Sequence, residues 1–425
     1  MGRTALRWIA AGNAILALAV ALEAARRPRY GGELRVEMRA AVASLDPSAV
    51  SEDPVALGAQ RQWMPLAFET LIRLDDQGHP QPWLATSWTH DAEHRAWIFP
   101  ARKNVKLHDG STWSPTGGAI TISDDRPIEQ ILRELAGARS AVVVKAEDGT
   151  LLGTGPFRVA RWDAGKSATL VAHDRYWGGR PFLDSISIQM GRSLADQASD
   201  FQIGKADAVE IAARDLRAPK QRGTTIANTP PMDTLALQFD GGRIPAPVRQ
   251  ALALSIDRAS IHNVLLQKQG EISGALLPKW LTGYSFLFPA ERDLPRAKQL
   301  VPSPQSLTFG YERQDAAIRP IAERIAVNAS EAGITLRQAT GTADVRLVRL
   351  PVTAGDPWLA LQDLTTLLKA APLSPAASPY EAEKALVESS GVIPLFHLPR
   401  GWMLSSKVKN WPHFEDVWLD SGAAQ

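Results

Sequence analysis

The stretch from Phe68 to Pro115 constrains the fold of this chain more than any other part of the sequence. Short apolar runs such as Trp97-Ile98-Phe99 alternate there with turn-forming groups such as Asp75-Asp76-Gln77-Gly78. Runs of this kind, bounded by Gly, Asp and Asn, are typical of β-strands joined by tight turns. The stretch therefore predicts a series of short strands near the start of the folded chain.

Length and composition set the broad class. A chain of 425 residues is too long for one compact core, so two domains or lobes are expected. Hydrophobic residues make up 45% and charged residues 22%, which is typical of a globular protein. The formal net charge of +2 and the lack of a basic run argue against a nucleic-acid partner. Without cysteine, the chain cannot form disulfides, thiolate metal sites or a lipidated-cysteine anchor.

The N-terminus has the pattern of a targeting segment. Arg3 and Arg7 precede an apolar stretch of 14 residues, Ile9 to Leu22, and small residues follow at Ala24 and Ala25. This stretch is shorter than the roughly 20 residues that span a bilayer. Residues 1–25 are therefore predicted to be a signal peptide. An uncleaved membrane anchor is the alternative, because Leu22 and Glu23 suit a cleavage site poorly.

Three groups of motifs follow one another along the chain. They are F-E-x-L with P-x-L-A and H-D-G at 68–110, G-T-G-P-F with Y-W at 153–177, and P-V-R-Q-A-L at 247–258. The third group opens a predicted buried-face helix from Val248 to Gln267. Further on, strand patterns at Leu307 and Ile334 flank a helical pattern, which predicts a β-α-β unit. The order of these motifs resembles the extracytoplasmic solute-binding proteins of peptide and nickel importers, family 5.

The resemblance implies an α/β fold of the two-lobed periplasmic-binding-protein type II, with mixed sheets and a hinge between the lobes. Lobe one is expected to comprise residues 30–240 plus 390–425. Lobe two is expected to comprise residues 241–389. The hinge is then expected where the chain crosses between lobes, near Phe239 to Pro245 and near Pro379 to Ile393.

The middle domain of the family is expected to be trimmed here. Only 37 residues lie between Pro115 and Gly153, where family members usually carry a much longer insertion. The reduced middle domain is predicted near residues 116–152.

The ligand chemistry also departs from the peptide-binding members. In those proteins, an aspartate just upstream of an acidic-Pro step pairs with the α-ammonium of the peptide. The step matches Asp356-Pro357 here, and by spacing the ammonium-binding position falls on Thr353. A buried ammonium without a carboxylate costs several kcal/mol, so the usual peptide mode is in doubt. Asp356 is an alternative ligand contact, although Asp-Pro is also an ordinary turn starter.

Four further side chains are candidate ligand contacts. Trp280 and Tyr284 lie in an irregular segment, and ligand pockets are mostly apolar with a few polar groups. His397 follows the predicted closing strand, at a place that resembles an aromatic cleft position of peptide binders. Arg39 follows the first strand, where related proteins touch ligand with their backbone. The alternative for the aromatic residues is core packing, and for His397 a structural histidine.

One pattern favours an enzyme. His90-Asp91-Ala92-Glu93-His94 spells H-x-x-E-H, which binds zinc when a helix places both histidines on one face. The motif lies where a hairpin turn is expected, and a turn breaks that geometry. The sequence also lacks a G-x-S-x-G elbow, a P-loop and a G-x-G-x-x-G motif. We therefore expect no enzyme, no cofactor and no metal site.

Together these features predict an exported, periplasmic or extracytoplasmic binding protein, monomeric in solution. It would capture a small solute, peptide-like or other, between its lobes and deliver it to the permease subunits of an ABC importer. Three alternatives stay open. They are a degenerate fold that acts as a sensory or interaction module, an exported H-x-x-E-H hydrolase, and a membrane-tethered form of the binding protein. The sequence names neither the ligand nor its affinity.

Overall fold

The computed structural model describes residues 30–408 and 411, except 76, 125, 218–223, 241–242, 314 and 375–377. The predicted signal peptide at 1–25 lies outside the described residues, as do residues 412–425 of the predicted lobe one. No helix in the described part of the chain is long and apolar enough to cross a membrane.

The described strands alternate with helices along most of the chain. The strands are β1 Glu33–Glu37, β2 Ile72–Leu74, β3 Pro80–Pro82, β4 Thr89–Asp91, β5 Ala96–Pro100, β6 Ala119–Ser123, β7 Val144–Lys145, β8 Leu151–Leu152, β9 Phe157–Asp163, β10 Ser167–Ala172, β11 Ser185–Gln189, β12 Ala208–Ile211, β13 Thr225–Phe239, β14 Glu271–Ile272, β15 Gln305–Gly310, β16 Ile334–Gln338, β17 Val345–Pro351 and β18 Ile393–Leu404. The helices are α1 Pro54–Trp63, α2 Ile128–Ala136, α3 Leu194–Gln202, α4 Ala246–Ser255, α5 Arg258–Ser260, α6 Lys279–Thr282, α7 Leu294–Leu300, α8 Arg319–Glu331, α9 Pro357–Leu367 and α10 Pro379–Ser390.

One mixed sheet of eleven strands organises the described residues. The order of ten of them is β16-β15-β17-β13-β18-β12-β1-β11-β10-β9. The eleventh strand, β14, lies off this path and pairs with residues 396–397 of β18. The pairs β1–β11, β1–β12 and β15–β16 are parallel, whereas β13 is antiparallel to both of its neighbours. The structure therefore confirms the predicted α/β class with mixed pairing.

The first lobe is built on β1 and β9–β12. Leu34 and Val36 alternate on β1 and are almost completely buried, because strand side chains point to opposite faces at every second residue. They belong to one apolar core with Trp63 of α1, Phe157 of β9 and Ile186 of β11. Packing of this core fixes the end of β1, and so the position of the residues that follow it.

Residues of the first two motif groups meet around one buried carboxylate in this lobe. Glu69 is 5% exposed, and its carboxylate accepts four hydrogen bonds. The donors are Trp83 Nε1 at 2.8 Å, Thr154 Oγ1 at 2.7 Å, Tyr176 OH at 2.7 Å and Trp177 Nε1 at 3.1 Å. All five side chains, here called the Glu69 cluster, come from the first two motif groups. Burial raises the pKa of Glu69, and the four donors oppose that rise.

The second lobe contains the predicted β-α-β unit. Strands β15 and β16 are parallel and joined by α8, whose Ile321 and Ile325 lie four residues apart on one buried face. They share a core with Leu307 and Phe309 of β15 and Ile334 of β16. The apolar periodicity of this region therefore predicted its structure correctly.

The predicted helix from Val248 to Gln267 is interrupted in the structure. Helix α4 ends at Ser255, and Ile256 has the extended angles φ −73° and ψ 121°. The Asp257 side chain then accepts a hydrogen bond from Ser260 N, which starts a new turn at α5. Aspartate favours such an N-cap over a helix interior, and this preference overrides the apolar periodicity.

The middle region, residues 71–152, contains short elements. Strands β4, β5 and β6 form a three-stranded antiparallel sheet, and β7 pairs with β8 as a hairpin. Leu71, Phe99, Ile131 and Leu132 form a small buried core between these strands and α2. The short strands and turns predicted for Phe68 to Pro115 are present. That this middle domain is shorter than in other family members stays a prediction.

Two long strands, β13 and β18, connect the lobes. Residues 225–228 pair with 401–404 beside the first-lobe strand β12, whereas residues 233–239 pair with 393–398 and β17 in the second lobe. Between these two segments, around Pro231 and Pro399, the pairing is irregular, because proline has no N–H to donate to the neighbouring strand. The strands thus change lobe near 229–233 and 398–401. Phe239 and Ile393, where the hinge was expected, lie in the second-lobe core.

Candidate functional site

A cavity of about 40 Å³ lies between the lobes, next to the two crossing strands. Its walls come from the end of β1, helix α1 and β12 on one side, from β17 on the other, and from β13 and β18. Five of its lining side chains are charged: Arg39, Glu210, Asp233, Arg349 and Arg400. Each of them lies near the end of a strand, or near the point where β13 and β18 pass from one lobe to the other. The sheet therefore fixes the position of its backbone.

Arg39 occupies the first-lobe wall and binds two carboxylates. Its backbone N donates to Glu210 Oε2 at 2.6 Å, and its Nη1 donates to Asp315 Oδ2 at 2.9 Å. Asp315 follows β15 in the second lobe, so the guanidinium connects the two lobes. Burial by itself lowers the pKa of Arg39, but the carboxylates of Glu210 and Asp315 outweigh it and raise that pKa.

Asp233 occupies the opposite end of the cavity and faces two guanidiniums. Arg400 donates from Nε at 3.0 Å and from Nη2 at 2.7 Å, both to Oδ1. Arg349 donates from Nη1 to Oδ2 at 3.4 Å. Burial favours the protonated acid, yet Arg400 and Arg349 together hold the pKa of Asp233 below its ordinary value. Burial, with the nearby charge of Arg39, lowers the pKa of Arg349, and the carboxylates of Asp233, Asp315 and Glu210 compensate it only in part.

Buried or partly buried ion pairs join the lobes at more than one place. In each, the arginine belongs to the first lobe or middle region, and the aspartate belongs to the segment 315–363. The pairs are Arg39–Asp315 at 2.9 Å, Arg61–Asp363 at 3.1 Å, Arg133–Asp356 at 2.7 Å and Arg139–Asp363 at 3.1 Å. We call these four pairs the interlobe ion pairs. In these four pairs the first lobe and the middle region supply the positive charge, and the second lobe supplies the negative charge.

Of the six residues proposed from sequence, Arg39 is the one that lines the cavity. Thr353 lies just beyond β17, two residues after Pro351, and Pro351 also lines the cavity. Within the described residues, Thr353 Oγ1 is buried and has no hydrogen-bond partner.

Asp356 has structural partners for both carboxylate oxygens. Oδ1 accepts from Trp358 N at 2.9 Å and Leu359 N at 3.0 Å, which caps the N-terminus of α9. Oδ2 accepts from Arg133 Nε at 2.7 Å, which is one of the interlobe ion pairs. A ligand contact by Asp356 would have to displace one of these partners.

Trp280, Tyr284 and His397 are not among the residues that line the cavity. Trp280 Nε1 donates to the Pro231 carbonyl on crossing strand β13 at 2.7 Å. Tyr284 OH donates to Glu383 Oε2 at 2.6 Å. His397 is 1% exposed, and its Nε2 lies 2.9 Å from the carbonyl oxygen of Ala275. Burial lowers the pKa of His397 to about 4, so the ring is neutral at physiological pH.

Sequence reasoning missed the other charged cavity residues, Glu210, Asp233, Arg349 and Arg400. A usable signal was present for Arg349: it is a charged residue inside the otherwise apolar run Leu347 to Val352, apart from the proline. A charge in a buried strand needs a partner or a function. The other three gave no such signal because their strands have mixed polarity.

The H-x-x-E-H segment forms a hairpin, as predicted. His90 lies on β4 opposite Trp97 of β5, and His94 lies in the turn, where its Nδ1 is 2.8 Å from Asp91 Oδ2. The two histidines therefore do not share a helix face. Across the described ranges, no group of three or more His, Cys, Asp or Glu side chains is arranged to hold a metal ion.

Comparisons with known proteins agree with this architecture. Over residues 127–359, more than half of the chain, the sequence matches the family described as bacterial extracellular solute-binding proteins, family 5 Middle. The probable D,D-dipeptide-binding periplasmic protein DdpA of Escherichia coli (strain K12) is 24% identical over 309 residues. The match covers 60% of this chain and 60% of DdpA, which is less than two thirds of that relative.

Two solved structures have similar folds. NikA from Staphylococcus aureus, in complex with Ni(L-His)2, has a TM-score of 0.74 at 15% identity and covers 92% of this chain and 99% of its own. AppA from Bacillus subtilis, in complex with a nonapeptide, has a TM-score of 0.73 at 16% identity, with coverages of 92% and 98%. At these identities the two structures establish the two-lobed α/β fold and no shared ligand.

Proposed function

Because this chain belongs to the bacterial extracellular solute-binding proteins, family 5, we propose that it captures a small solute between its lobes and delivers it to an ABC importer. The observation that carries the proposal is the position of the cavity. It lies beside the two crossing strands, where buried charged side chains from both lobes converge. Fixed polar groups in a concave site between domains are typical of ligand-binding clefts. Capture would be non-covalent, with no catalytic step.

Closure would occur by rotation of the lobes about the crossing strands. The division of the described chain then shifts slightly from the sequence-based one: lobe one comprises residues 30–228 and 402–408, and lobe two comprises residues 234–397. The irregular pairing around Pro231 and Pro399 supports a hinge there, since a ladder with missing hydrogen bonds bends more easily. The interlobe ion pairs would stabilise the closed form.

Location and partners follow from the same proposal. Relatives such as DdpA are named as periplasmic proteins, and residues 1–25 have the pattern of a signal peptide. The protein would therefore act outside the cytoplasm, as a monomer, and present its closed form to the permease subunits. An uncleaved N-terminal anchor is the variant of this proposal that tethers it to the membrane.

Native mass spectrometry of the protein from its own exported fraction tests the proposal. A retained small molecule, reproducible between preparations, is the expected result. The Arg39→Ala variant should lose that adduct, whereas Arg95→Ala, in the exposed β4–β5 turn, should retain it. A clean protein mass, together with no thermal shift in the presence of peptides, oligosaccharides or metal chelates, would contradict solute capture.

A specific observation favours a second candidate, the degenerate fold acting as a sensory or interaction module. The interlobe ion pairs satisfy the charges of both faces with the side chains of the protein itself, and the cavity measures only about 40 Å³. One water molecule needs roughly 10–15 Å³ in this measure. In this candidate the lobes stay closed without any solute. Small-angle scattering that shows one compact shape, unchanged by every solute tested, would support it.

A further inference from the structure

A buried glutamine of helix α3 joins the two strands on either side of β1. Strand β1 is parallel to β11 on one side and to β12 on the other, and its ladder with β12 ends at the pair Glu37 and Val209. One residue further along β12, Glu210 N donates to Gln197 Oε1 at 2.8 Å. On the β11 side, Gln197 Nε2 donates to the carbonyl of Arg192 at 3.0 Å. The side-chain amide therefore links the backbones of both neighbours just beyond the end of the ladder.

Gln197 takes the place of a peptide group in this arrangement. Its amide has one acceptor oxygen and two donor hydrogens, and here it satisfies both a backbone N–H and a backbone carbonyl. These two partners also fix which end of the amide is the oxygen, because the contacts would fail if it were reversed. The residue is 0% exposed, so water cannot easily replace the amide.

The same amide also reaches the carboxylate of Glu210. Gln197 Nε2 lies 3.4 Å from Glu210 Oε2, and that oxygen accepts from Arg39 N at 2.6 Å. Arg39 Nε is 3.4 Å from the same oxygen, yet within the described residues it is buried and makes no hydrogen bond. Glu210 therefore holds Arg39 through its backbone N–H, and holds the near side of the guanidinium through charge alone. Gln197 fixes Glu210 at both its backbone and its carboxylate.

The far side of the guanidinium makes an interlobe contact. Arg39 Nη1 donates to Asp315 Oδ2 at 2.9 Å. Asp315 is fixed in the second lobe, because its Oδ1 accepts from Ala317 N and Ile318 N at 2.8 Å and 3.2 Å. A hydrogen bond weakens steeply as its geometry departs from linear. The strength of this contact thus depends on where the first lobe holds Arg39.

We infer that Gln197 is a positioning residue for lobe closure, which acts through Glu210 on Arg39 and so on the contact with Asp315. Gln197 is not among the residues that line the cavity, and the hydrogen bonds described above join it to the first lobe. A solute that is bound in the closed form would depend on this side chain without touching it. The inference rests on the proposed function, since closure is the step in which Gln197 acts.

A double-mutant cycle across the interface tests the inference. Gln197→Met keeps the length of the side chain and removes its amide. The ratio of closed to open protein is measured without solute, by energy transfer between one dye on each lobe. Gln197→Met should lower this ratio roughly two- to fivefold, as expected for the loss of a weak ion pair. In the Asp315→Asn background it should have a much smaller effect, because residues that act through one contact are not additive.

A matched control lies on the same helix. Gln202→Met makes the same substitution at an exposed position of α3 and should leave the ratio unchanged in both backgrounds. Circular dichroism confirms that each variant is folded. If Gln197→Met does not fold, Gln197→Asn replaces it in the cycle, since its amide is one methylene too short to reach both Glu210 N and the Arg192 carbonyl. No effect of the Gln197 substitution, or equal effects with and without the Asp315 charge, would overturn the inference.

The cycle needs no solute, so its outcome is separate from that of the proposed function. A non-additive cycle in a protein that retains no solute would contradict solute capture and support the role of Gln197 in closure. An additive cycle in a protein that does bind a solute would overturn this inference alone. Gln197 would then stabilise the first lobe without affecting the contact between lobes.

Discussion

Two buried carboxylates show how differently this chain stabilises an acidic group. Glu69 and Asp233 are each 5% exposed. Glu69 is bound by four neutral donors from one lobe and its adjoining loops, all within 3.1 Å. Asp233 is bound by two guanidiniums, one on the crossing strand β18 and one on β17. The first arrangement is local to one core, whereas the second lies where the lobes meet.

The difference fits what each region has to do. Neutral hydroxyl and indole donors require close, fixed geometry, and without it each is left unsatisfied at a cost of roughly 1–3 kcal/mol. Such a cluster rigidifies a core. Charged groups interact over longer distances and become hydrated when lobes separate, and a solute anion can replace a protein carboxylate. The Glu69 cluster therefore depends on fixed geometry, whereas the charged contacts of the cavity tolerate small changes of distance.

The largest expected effect on stability comes from the Glu69 cluster. Glu69→Ala removes the acceptor of four donors, and we expect a loss of about 4 kcal/mol in the free energy of unfolding. Glu69→Gln keeps one acceptor oxygen and should lose less. Urea unfolding followed by tryptophan fluorescence measures both, with Glu93→Ala in the exposed β4–β5 turn as control. A loss from Glu69→Ala no larger than that of the control would mean that the cluster does not stabilise the lobe.

The next effect concerns the interlobe ion pairs. Asp363→Asn removes the charge that faces both Arg61, whose side chain is 5% exposed, and Arg139. Breaking such a buried pair leaves an uncompensated guanidinium, and we expect a loss of about 3 kcal/mol in unfolding free energy. Glu52→Gln is the matched control, since its pair with Lys369 joins segments of the same two lobes but is highly exposed. Equal losses of unfolding free energy in the two variants would mean that burial does not strengthen the contribution of an interlobe ion pair.

Acid should act on the second lobe, through His397, before it reaches Asp233 in the cavity. Burial lowers the pKa of His397 to about 4 from an ordinary 6.5, so the unfolded chain binds more protons between these values. Its contribution is fully present above about pH 6.5 and is lost as the pH falls towards 4, by about 3 kcal/mol in total. Asp233, with a lowered pKa, keeps its contribution until the pH falls below 3.8.

His397→Gln tests this order, because glutamine retains an N–H donor for the Ala275 carbonyl but does not titrate. The pH dependence of unfolding between 6.5 and 4 should be shallower than in the unmodified protein. An unaltered slope in His397→Gln would mean that other groups cause the loss of stability between pH 6.5 and 4.

The smallest expected effect is on closure itself. Asp315→Asn removes the charge that faces Arg39 while its amide oxygen can still accept from Ala317 N and Ile318 N. We expect the closed form to lose about 1 kcal/mol relative to the open form. The chain has no cysteine, so Lys166→Cys and Glu323→Cys would carry one dye on each lobe for energy transfer.

Salt provides the check on that measurement. Raising NaCl from 0.1 M to 1 M shortens the Debye length from about 10 Å to about 3 Å. The unmodified protein should then shift towards the open form, and Asp315→Asn should shift less. The stability of the Glu69 cluster should not follow this dependence. Energy transfer that is identical in both proteins at both salt concentrations would argue against electrostatic closure.

The sequence predicted much of this fold from local patterns. The strands and turns of the region after Phe68 and the β-α-β unit that ends with the strand at Ile334 follow from periodicity and turn chemistry. The α/β class of the whole chain was implied by the family resemblance. The helix beginning at Val248 was predicted too long, because the cap at Asp257 competes with apolar periodicity. The hinge expected near Phe239 to Pro245 and near Pro379 to Ile393 stays a prediction, and the irregular strand pairing around Pro231 lies outside both ranges, since a strand that passes through two cores looks uniform in sequence.

The candidate site was much harder to predict. Arg39, proposed because it follows the first strand, lines the cavity. Asp233, Arg349 and Arg400 lie far apart in the chain and meet only in the folded protein. Trp280 and Tyr284 were proposed because they lie in an irregular segment, and His397 because of its place after the predicted closing strand. The structure gives all three backbone or side-chain partners away from the cavity lining. Their roles in ligand binding stay predictions.

By itself, then, the sequence determined the elements, the family and the motif residues that converge on Glu69. Periodicity, turn preference and capping act between near neighbours, so a linear reading captures them. Only the tertiary structure decided which charges face one another across the lobes. Coulombic interaction and burial depend on distances between residues such as Arg39 and Asp315, 276 positions apart in the chain, and the packing of two cores sets those distances.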